Sequence, residues 1–294
     1  MDRKLSHAQN FIRSSVLVGE LLALKEVEIY PTDHVIDIGS GRGIIAERIL
    51  KRLSDEGRLD LIEADRVYYE QLIMRFGRYQ NVHITHANFL DLSLPKTPFK
   101  IFSNIPFNFT SDILNKVLAY KTSLNTAYII MQKEALENWG GSQMDERYGG
   151  SLKSLLNYPF YKISEIYQFK QSDFSPRPSV QCVLAKFQKR AKPLVEPENL
   201  PVYQDFVTAI SNVRVGEAVW RNLFTKDQLE YMYKNYFLLP NSGINAQNLE
   251  SIFKTFCSFL EHTNERGKRT ILGSYDKRTE QVRNLEKVHR TRWG

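Results

Sequence analysis

Short apolar runs that alternate with helical patterns are the feature that most constrains the fold of this chain. Through the first 190 residues, segments rich in β-branched and aromatic residues are separated by segments with apolar residues at helical spacing. Because parallel strands are joined by crossover helices, this rhythm predicts an α/β fold with a Rossmann-like sheet. The predicted strands are 34–38, 59–62, 82–84, 100–102, 127–130, 161–170 and 180–187, and the predicted crossover helices are 44–53, 66–77 and 111–118.

The strand pattern stops near residue 190, where a charged segment ends at Pro193. Residues from about 202 to 260 contain no further convincing strand, which predicts a small all-helical domain. We therefore expect three segments, 1–190, 191–263 and 264–294. The last segment holds nine Lys or Arg and four acidic residues, so it carries +5 of the total charge of +7.

Charge and composition restrict the partners of the chain. A net charge of +7 favours a polyanionic partner, either nucleic acid or an acidic membrane surface. No apolar run approaches the roughly 18 residues of a membrane span, so we expect a soluble cytoplasmic protein with no membrane partner. Cys182 and Cys257 lack metal-site spacing. We therefore predict two core thiols and no metal.

A glycine-rich turn follows the first predicted strand and opens a helix. Residues 37–43 read Asp-Ile-Gly-Ser-Gly-Arg-Gly, and Gly39 and Gly41 would let the backbone approach a nucleotide-like ligand closely. Glu63 ends the next strand, 22 residues after Gly41, where its carboxylate can accept hydrogen bonds from both ribose hydroxyls. Taken alone, this pair also fits a dinucleotide site.

A second motif separates these alternatives. Asn104-Ile105-Pro106-Phe107 ends a later strand and resembles the Asn-X-Pro-aromatic signature of enzymes that methylate exocyclic amino groups of bases. The adenine amino nitrogen is a poor nucleophile, and acceptors for its two N–H groups favour a more nucleophilic geometry. The Asn104 side-chain oxygen and the Ile105 carbonyl can be those acceptors. Pro106 would stiffen the turn, and Phe107 would stack on the base.

With these motifs in place, the chain resembles the ribosomal RNA adenine dimethylase superfamily, and within it the Erm methyltransferases that confer macrolide, lincosamide and streptogramin B resistance. The resemblance covers nearly the first 260 residues. It is carried by six segments in order, which are 6–11, 37–43, 62–65, 101–107, 173–180 and 223–226.

The resemblance implies a methyltransferase that uses S-adenosylmethionine to modify N6 of one adenine in 23S (large-subunit) ribosomal RNA, acting as a monomer. It implies that residues 1–190 form the catalytic domain, that 191–263 form a helical RNA-binding domain, and that Phe174 covers the base opposite Phe107. The residues that it places around the donor are Gln9, Asn10, Phe11, Gly39, Gly41, Glu63, Ala64, Asn88, Phe89 and Asn104.

Two positions depart from the family pattern. Asn88 stands where relatives usually carry an acidic residue that contacts the donor adenine, although its carbonyl oxygen can still accept that hydrogen bond. Many relatives have Tyr at the position of Phe107, but stacking requires the ring and not the hydroxyl.

Other functions and roles remain open at this point. One is a housekeeping dimethylase of small-subunit RNA, although Ile105 and residues 109–113 favour the Erm branch. Another is an RNA-binding relative that has lost catalysis. The basic segment 264–294 is either a solvated end or a site for the RNA backbone, with a helix-compatible run over 275–292.

Overall fold

The computed structural model describes residues 10–144 and 149–291. Nine strands lie in these ranges, which are β1 Phe11–Ile12, β2 His34–Ile38, β3 Arg58–Glu63, β4 Val82–His86, β5 Phe99–Asn104, β6 Leu124–Gln132, β7 Tyr161–Gln168, β8 Phe174–Ser175 and β9 Cys182–Lys189. Twelve α-helices lie in the same ranges, which are α1 Ser15–Leu22, α2 Ile44–Leu50, α3 Arg66–Phe76, α4 Thr110–Val117, α5 Lys133–Gly140, α6 Leu152–Asn157, α7 Leu200–Ile210, α8 Ala218–Leu223, α9 Lys226–Asn235, α10 Leu249–His262, α11 Glu265–Ile271 and α12 Ser274–Thr291.

Seven of these strands form one sheet in the order β4-β3-β2-β5-β6-β9-β7. The five strands β2 to β6 pair in parallel, whereas β9 runs antiparallel to both of its neighbours. The α/β class and all seven strands expected from the sequence are confirmed. The strands could be predicted from apolar runs because a strand covered on both faces buries nearly every residue. In β6, for example, all five residues from Ala127 to Met131 are buried.

The strand order reverses between β2 and β5, which are neighbours in the sheet but not in the sequence. In an open α/β sheet, the crevice outside the carboxyl ends of the strands at such a switch point is where ligands bind. The glycine-rich turn follows β2, and Asn104 is the last residue of β5. The topology therefore brings the two sequence motifs to one place.

The chain divides into two compact units. The first comprises the described residues of 10–136 and 161–189 and contains the whole sheet. One core cluster of this unit includes Val18, Ile49 and Leu72 from the first three helices, packed with Val35 and Leu61 from the sheet. The helices thus cover the sheet with their apolar faces.

The second unit comprises the described residues of 137–160 and 190–291. Its core is rich in aromatic rings, with Tyr203, Phe206 and Phe256 among its fully buried side chains. The unit differs from the expected 191–263 at both ends. Residues 137–160 join it because Leu155 packs in this core and its carbonyl accepts a 2.6 Å hydrogen bond from the Tyr203 hydroxyl.

The basic segment also joins the second unit. Ile271 of α11 is 1% exposed and packs in the aromatic core. The buried carboxylate of Asp205 accepts hydrogen bonds of 2.9 Å from the backbone N–H groups of Gly273 and Tyr275, at the start of α12. Carboxylates at a helix N-terminus stabilise it. The described part of the segment is therefore mostly helical and is attached to the second unit through Ile271, Gly273 and Tyr275, whereas residues 292–294 lie outside the described ranges.

No helix in the described ranges is both long enough and apolar enough to cross a membrane.

Candidate functional site

The glycine turn after β2 adopts a backbone that excludes side chains at two points. Gly39 and Gly41 have φ angles of 68° and 52°, in the left-handed region that favours glycine. A Cβ atom on Gly41 would lie 2.7 Å from Cε1 of Phe11, and one on Gly39 would lie 3.6 Å from Cδ of Pro106. The backbone of the turn thus passes directly beside Phe11 and the Asn-Ile-Pro-Phe segment, and at Gly41 it leaves no room for a side chain.

Glu63 ends β3 and is held against the same turn. Its Oε2 atom accepts a 2.7 Å hydrogen bond from the backbone N–H of Gly41, and its Oε1 atom accepts one of 2.8 Å from Asp65. Burial raises the pKa of Glu63, although the hydrogen bonds from Asp65 and Gly41 oppose the rise. The carboxylate is 1% exposed and oriented, and each oxygen retains a lone pair for a ligand hydroxyl.

Asp37, in β2, is the most unusual carboxyl group of the site, and its role was not foreseen individually. It is 1% exposed, and neither oxygen has a hydrogen-bond partner among the described residues. The hydroxyls of Ser40 and Ser103 lie nearby but donate to backbone carbonyls. Burial raises the pKa of Asp37 to about 7, and the charge of Glu63 adds to the rise. Such an unpaired buried group indicates a missing partner, such as a cationic ligand.

The Asn104 side chain is held in one orientation at the end of β5. Its Nδ2 atom donates a 2.6 Å hydrogen bond to the backbone carbonyl of Asn10. Its Oδ1 atom is buried and accepts no hydrogen bond from any described residue. An acceptor without a donor is therefore present at the position where the sequence predicts an acceptor for the adenine amino group.

The residues that follow Asn104 form a tight turn. Ile105 is 1% exposed, and Pro106 has φ −62° and ψ 124° at the start of a single 3₁₀ turn. The ring of Phe107 is half-buried against the core of the first unit, so part of it faces outward. The Thr110 hydroxyl donates to the Phe107 carbonyl at 3.0 Å, which ties the turn to α4.

The loop after β4 carries the Asn88 and Phe89 positions. Asn88 is exposed, and its Oδ1 atom accepts a 3.0 Å hydrogen bond from the backbone N–H of Leu90. That oxygen was expected to accept from the donor adenine and now has one lone pair left for it. On the neighbouring loop, the Ala64 carbonyl accepts a hydrogen bond from His86 Nε2 at 3.1 Å.

Lys116 of α4 fixes the same loop and was not anticipated from the sequence. Its ammonium donates to the carbonyls of Phe89 at 2.9 Å and Leu90 at 2.6 Å, and also to that of Leu92. Desolvation lowers its pKa. A lysine in a helical pattern is usually a solvated surface residue, so only the tertiary structure identifies this role.

Phe174 lies in the short strand β8, and its side chain is buried. Its ring is 1% exposed and packs in the core, with the Phe169 ring centroid 5.2 Å away. Its backbone pairs with Ile12 in the two-stranded sheet β1-β8. The strand pair and the core enclose the ring, and a role for Phe174 over the base opposite Phe107 stays a prediction. Gln9, the first donor residue expected from the resemblance, lies outside the described ranges.

An open surface depression of about 570 Å³ adjoins the site and is lined by Arg42, Asp65, Val67, Tyr68 and Gln71. The Tyr68 ring lies 5.4 Å from the Phe11 ring, which in turn lies beneath the guanidinium of Arg42. Phe11 thus lies close both to Tyr68 of the depression and to Gly41 of the glycine turn. No cluster of His, Cys, Asp or Glu suited to a metal occurs among the described residues.

Comparison with known proteins assigns a family to this arrangement. A family model described as ribosomal RNA adenine dimethylase matches residues 2–260. An rRNA adenine N-6-methyltransferase of Bacteroides fragilis is 26% identical over 258 residues, which cover 86% of this chain and 92% of that protein. A ribosomal RNA small subunit methyltransferase A of Koribacter versatilis is 28% identical over 207 residues, which cover 65% and 70% of the two chains.

Solved structures share the fold at low sequence identity. The 23S rRNA methyltransferase ErmE superposes with a TM-score of 0.75 at 19% identity, over 86% of this chain and 100% of that one. A dimethyladenosine transferase from Plasmodium falciparum gives a TM-score of 0.61 at 17% identity, over 88% and 92% of the two chains. The fold is therefore that of a methyltransferase with a Rossmann-like sheet.

Proposed function

The chain belongs to the ribosomal RNA adenine dimethylase family and is a methyltransferase, and on this premise we propose that it methylates N6 of a specific adenine in 23S ribosomal RNA with S-adenosylmethionine as donor. Macrolide, lincosamide and streptogramin B resistance would be the consequence. The observation that carries the proposal is the buried, unpartnered Oδ1 atom of Asn104 beside the glycine turn.

The residues present fit the donor. Gly39 and Gly41 adopt the left-handed backbone of a tight nucleotide-binding turn, and Glu63 offers oriented acceptor oxygens for the ribose hydroxyls. The unpaired carboxylate of Asp37 is suited to the ammonium of the methionine part, because a buried charge requires a partner. The donor supplies an electrophilic methyl group on a sulfonium sulfur when it is bound.

The acceptor side follows from the Asn-Ile-Pro-Phe turn. Asn104 Oδ1 accepts one N–H of the adenine amino group and the Ile105 carbonyl accepts the other, which favours a nucleophilic lone pair. The outward part of the Phe107 ring stacks on the base after the base has left its own stack. Positioning then directs the nitrogen at the methyl group in line. The product proton leaves to water.

Support for the large-subunit substrate comes from sequence. Ile105 and residues 109–113 favour the Erm branch. The second candidate is an adenine of small-subunit RNA, favoured by the 28% identity to the Koribacter versatilis enzyme. In both cases the second unit would bind RNA, and the enzyme would act as a cytoplasmic monomer.

A labelling experiment tests the proposal. Purified chain and methyl-labelled donor are incubated separately with unmodified 23S and 16S ribosomal RNA, and the methylated base is mapped. We expect label at N6 of one adenine of 23S RNA. Label in 16S RNA alone would select the second candidate, and donor binding without label in either RNA would indicate a relative that has lost catalysis.

A further inference from the structure

An exposed aromatic residue in a costly backbone conformation follows α9 in the second unit. Phe237 has φ 55°, in the left-handed region where helices usually end with Gly or Asn. Its side chain is 78% exposed. A bulky residue at such a position is an outlier, and strained residues cluster at functional sites.

The residues around Phe237 enforce this conformation. The next residue, Leu238, is 1% exposed, and its N–H donates to the Met232 carbonyl at 3.4 Å. The buried side chain of Gln247 donates to the Leu239 carbonyl at 2.7 Å and accepts from the Leu239 N–H at 2.8 Å. Anchored on its C-terminal side, the segment holds the Phe237 ring in solvent.

Further aromatic side chains and a lysine lie near the end of α9. Tyr231 is 56% exposed, and its ring meets the Tyr236 ring edge-on, with centroids 5.7 Å apart and planes at 85°. Lys234 is exposed in the last helical turn and forms no ion pair within 4.0 Å among the described residues. We call Tyr231, Lys234, Tyr236 and Phe237 the α9 platform.

We propose that the α9 platform binds an unpaired nucleotide of the RNA substrate, with the Phe237 ring stacked on the base and Lys234 near a phosphate. The inference rests on the proposed function for the identity of the ligand as RNA. Aromatic rings beside cations are the combination that binds single-stranded nucleic acid without reading its sequence. Lys234, which has no ion pair among the described residues, and the net charge of +7 favour a polyanion over an apolar protein surface.

Substitution of Phe237 separates binding from folding. Asn suits the left-handed backbone better than Phe does, so Phe237→Asn should leave the thermal unfolding midpoint unchanged or raised. The same variant should bind ribosomal RNA about 5- to 100-fold more weakly, whereas Phe237→Tyr should retain wild-type affinity. Leu272→Asn is the matched control, because Leu272 is 70% exposed in the same unit but is not aromatic.

The experiment titrates purified 23S and 16S RNA with each variant, and measures methylation, donor affinity and oligomeric state beside it. If Phe237→Asn binds RNA as tightly as the wild type and the enzyme methylates RNA, the proposed role of the α9 platform is wrong. The proposed function then remains intact. A wild-type chain that binds neither RNA overturns both. A change in self-association by Phe237→Asn with unchanged RNA affinity would assign the surface to a second copy of the chain and overturn the proposal.

Discussion

The side-chain amide nitrogen of Asn104 donates a 2.6 Å hydrogen bond to the backbone carbonyl of Asn10. This bond determines which end of the amide is free, because the nitrogen is engaged and the oxygen is not. The N-terminal segment that carries Asn10 therefore orients the group proposed to hold the adenine amino nitrogen.

The first prediction concerns that oxygen. Asn104→Ala should lower methyl transfer roughly 100-fold or more, as loss of one preorganised group at a reacting centre does. Donor affinity should change little, because the oxygen acts on the acceptor. Single-turnover rates and calorimetry measure the two effects separately. Asn108→Ala is the control, since Asn108 is exposed four residues away. Equal rates for the two variants would refute the assignment.

The second prediction distinguishes a steric clash at Gly41 from the strain of a left-handed backbone alone. Gly41→Ala should weaken donor binding at least about tenfold, because the new Cβ would meet Phe11 at 2.7 Å in a left-handed backbone. Gly273→Ala has the same backbone strain at φ 74° but no atom within 4 Å. It should lower stability by about 1–2 kcal/mol and leave donor affinity unchanged. Calorimetry measures donor affinity and denaturant unfolding measures stability for both variants. Unchanged donor affinity in Gly41→Ala would contradict the assignment of the glycine turn to the donor site.

The third prediction follows from the raised pKa of Asp37. In the folded chain the pKa of Asp37 is about 7 against 3.8 for a free group, so the unfolded chain loses this proton at lower pH. The stability contributed by protonated Asp37 is complete below pH 4 and is lost as the pH rises through 7, by up to about 4 kcal/mol.

Unfolding by denaturant at a series of pH values measures this loss. Asp37→Asn should flatten the curve between pH 4 and 7, while the titration of Glu63 remains as background. In the wild type, affinity for the cationic donor should rise with pH over the same window. A variant whose pH curve matches that of the wild type would show that Asp37 does not titrate there.

The fourth prediction distinguishes two phenylalanines that the sequence placed in one role. Phe107 is half-buried, so Phe107→Ala should slow transfer with little loss of stability, and Phe107→Tyr should be tolerated. Phe174 is 1% exposed, so Phe174→Ala should cost about 3–5 kcal/mol of stability. Thermal unfolding beside transfer rates tests both. A stable Phe174→Ala variant with slow transfer would favour the original expectation.

The fifth prediction concerns the cations of α12. Lys277 and Arg278 are exposed on a helix that Asp205 anchors, so their neutralisation to Gln should preserve the fold. If both contact RNA, the slope of log affinity against log salt becomes shallower by about 0.7–0.9 per contact. Lys25→Gln, at a side chain that is 91% exposed in the first unit, is the control. An unchanged slope would indicate a solvated helix.

Much of the fold was predictable because its causes are local. Strands covered on both faces must be apolar along their length, so β2 to β6 could be read as short hydrophobic runs. Parallel order then places the carboxyl ends of β2, β3 and β5 at one edge of the sheet. The neighbourhood of Gly41, Glu63 and Asn104 followed from the sequence for this reason.

Other properties depend on contacts between residues far apart in the chain, and only the tertiary structure decided them. Among the described residues, the carboxylate oxygens of Asp37 and the Oδ1 atom of Asn104 have no hydrogen-bond partner because the nearby donors point elsewhere. Phe174 is buried because β8 pairs with β1 and its ring packs in the core. Lys116 and Asp205 bind backbone groups of loops and helix ends that their own segments do not contain. The sequence by itself determined which groups meet at the site. Long-range packing determined which of their atoms remain free, because a hydrogen-bond partner is chosen by geometry and not by residue type.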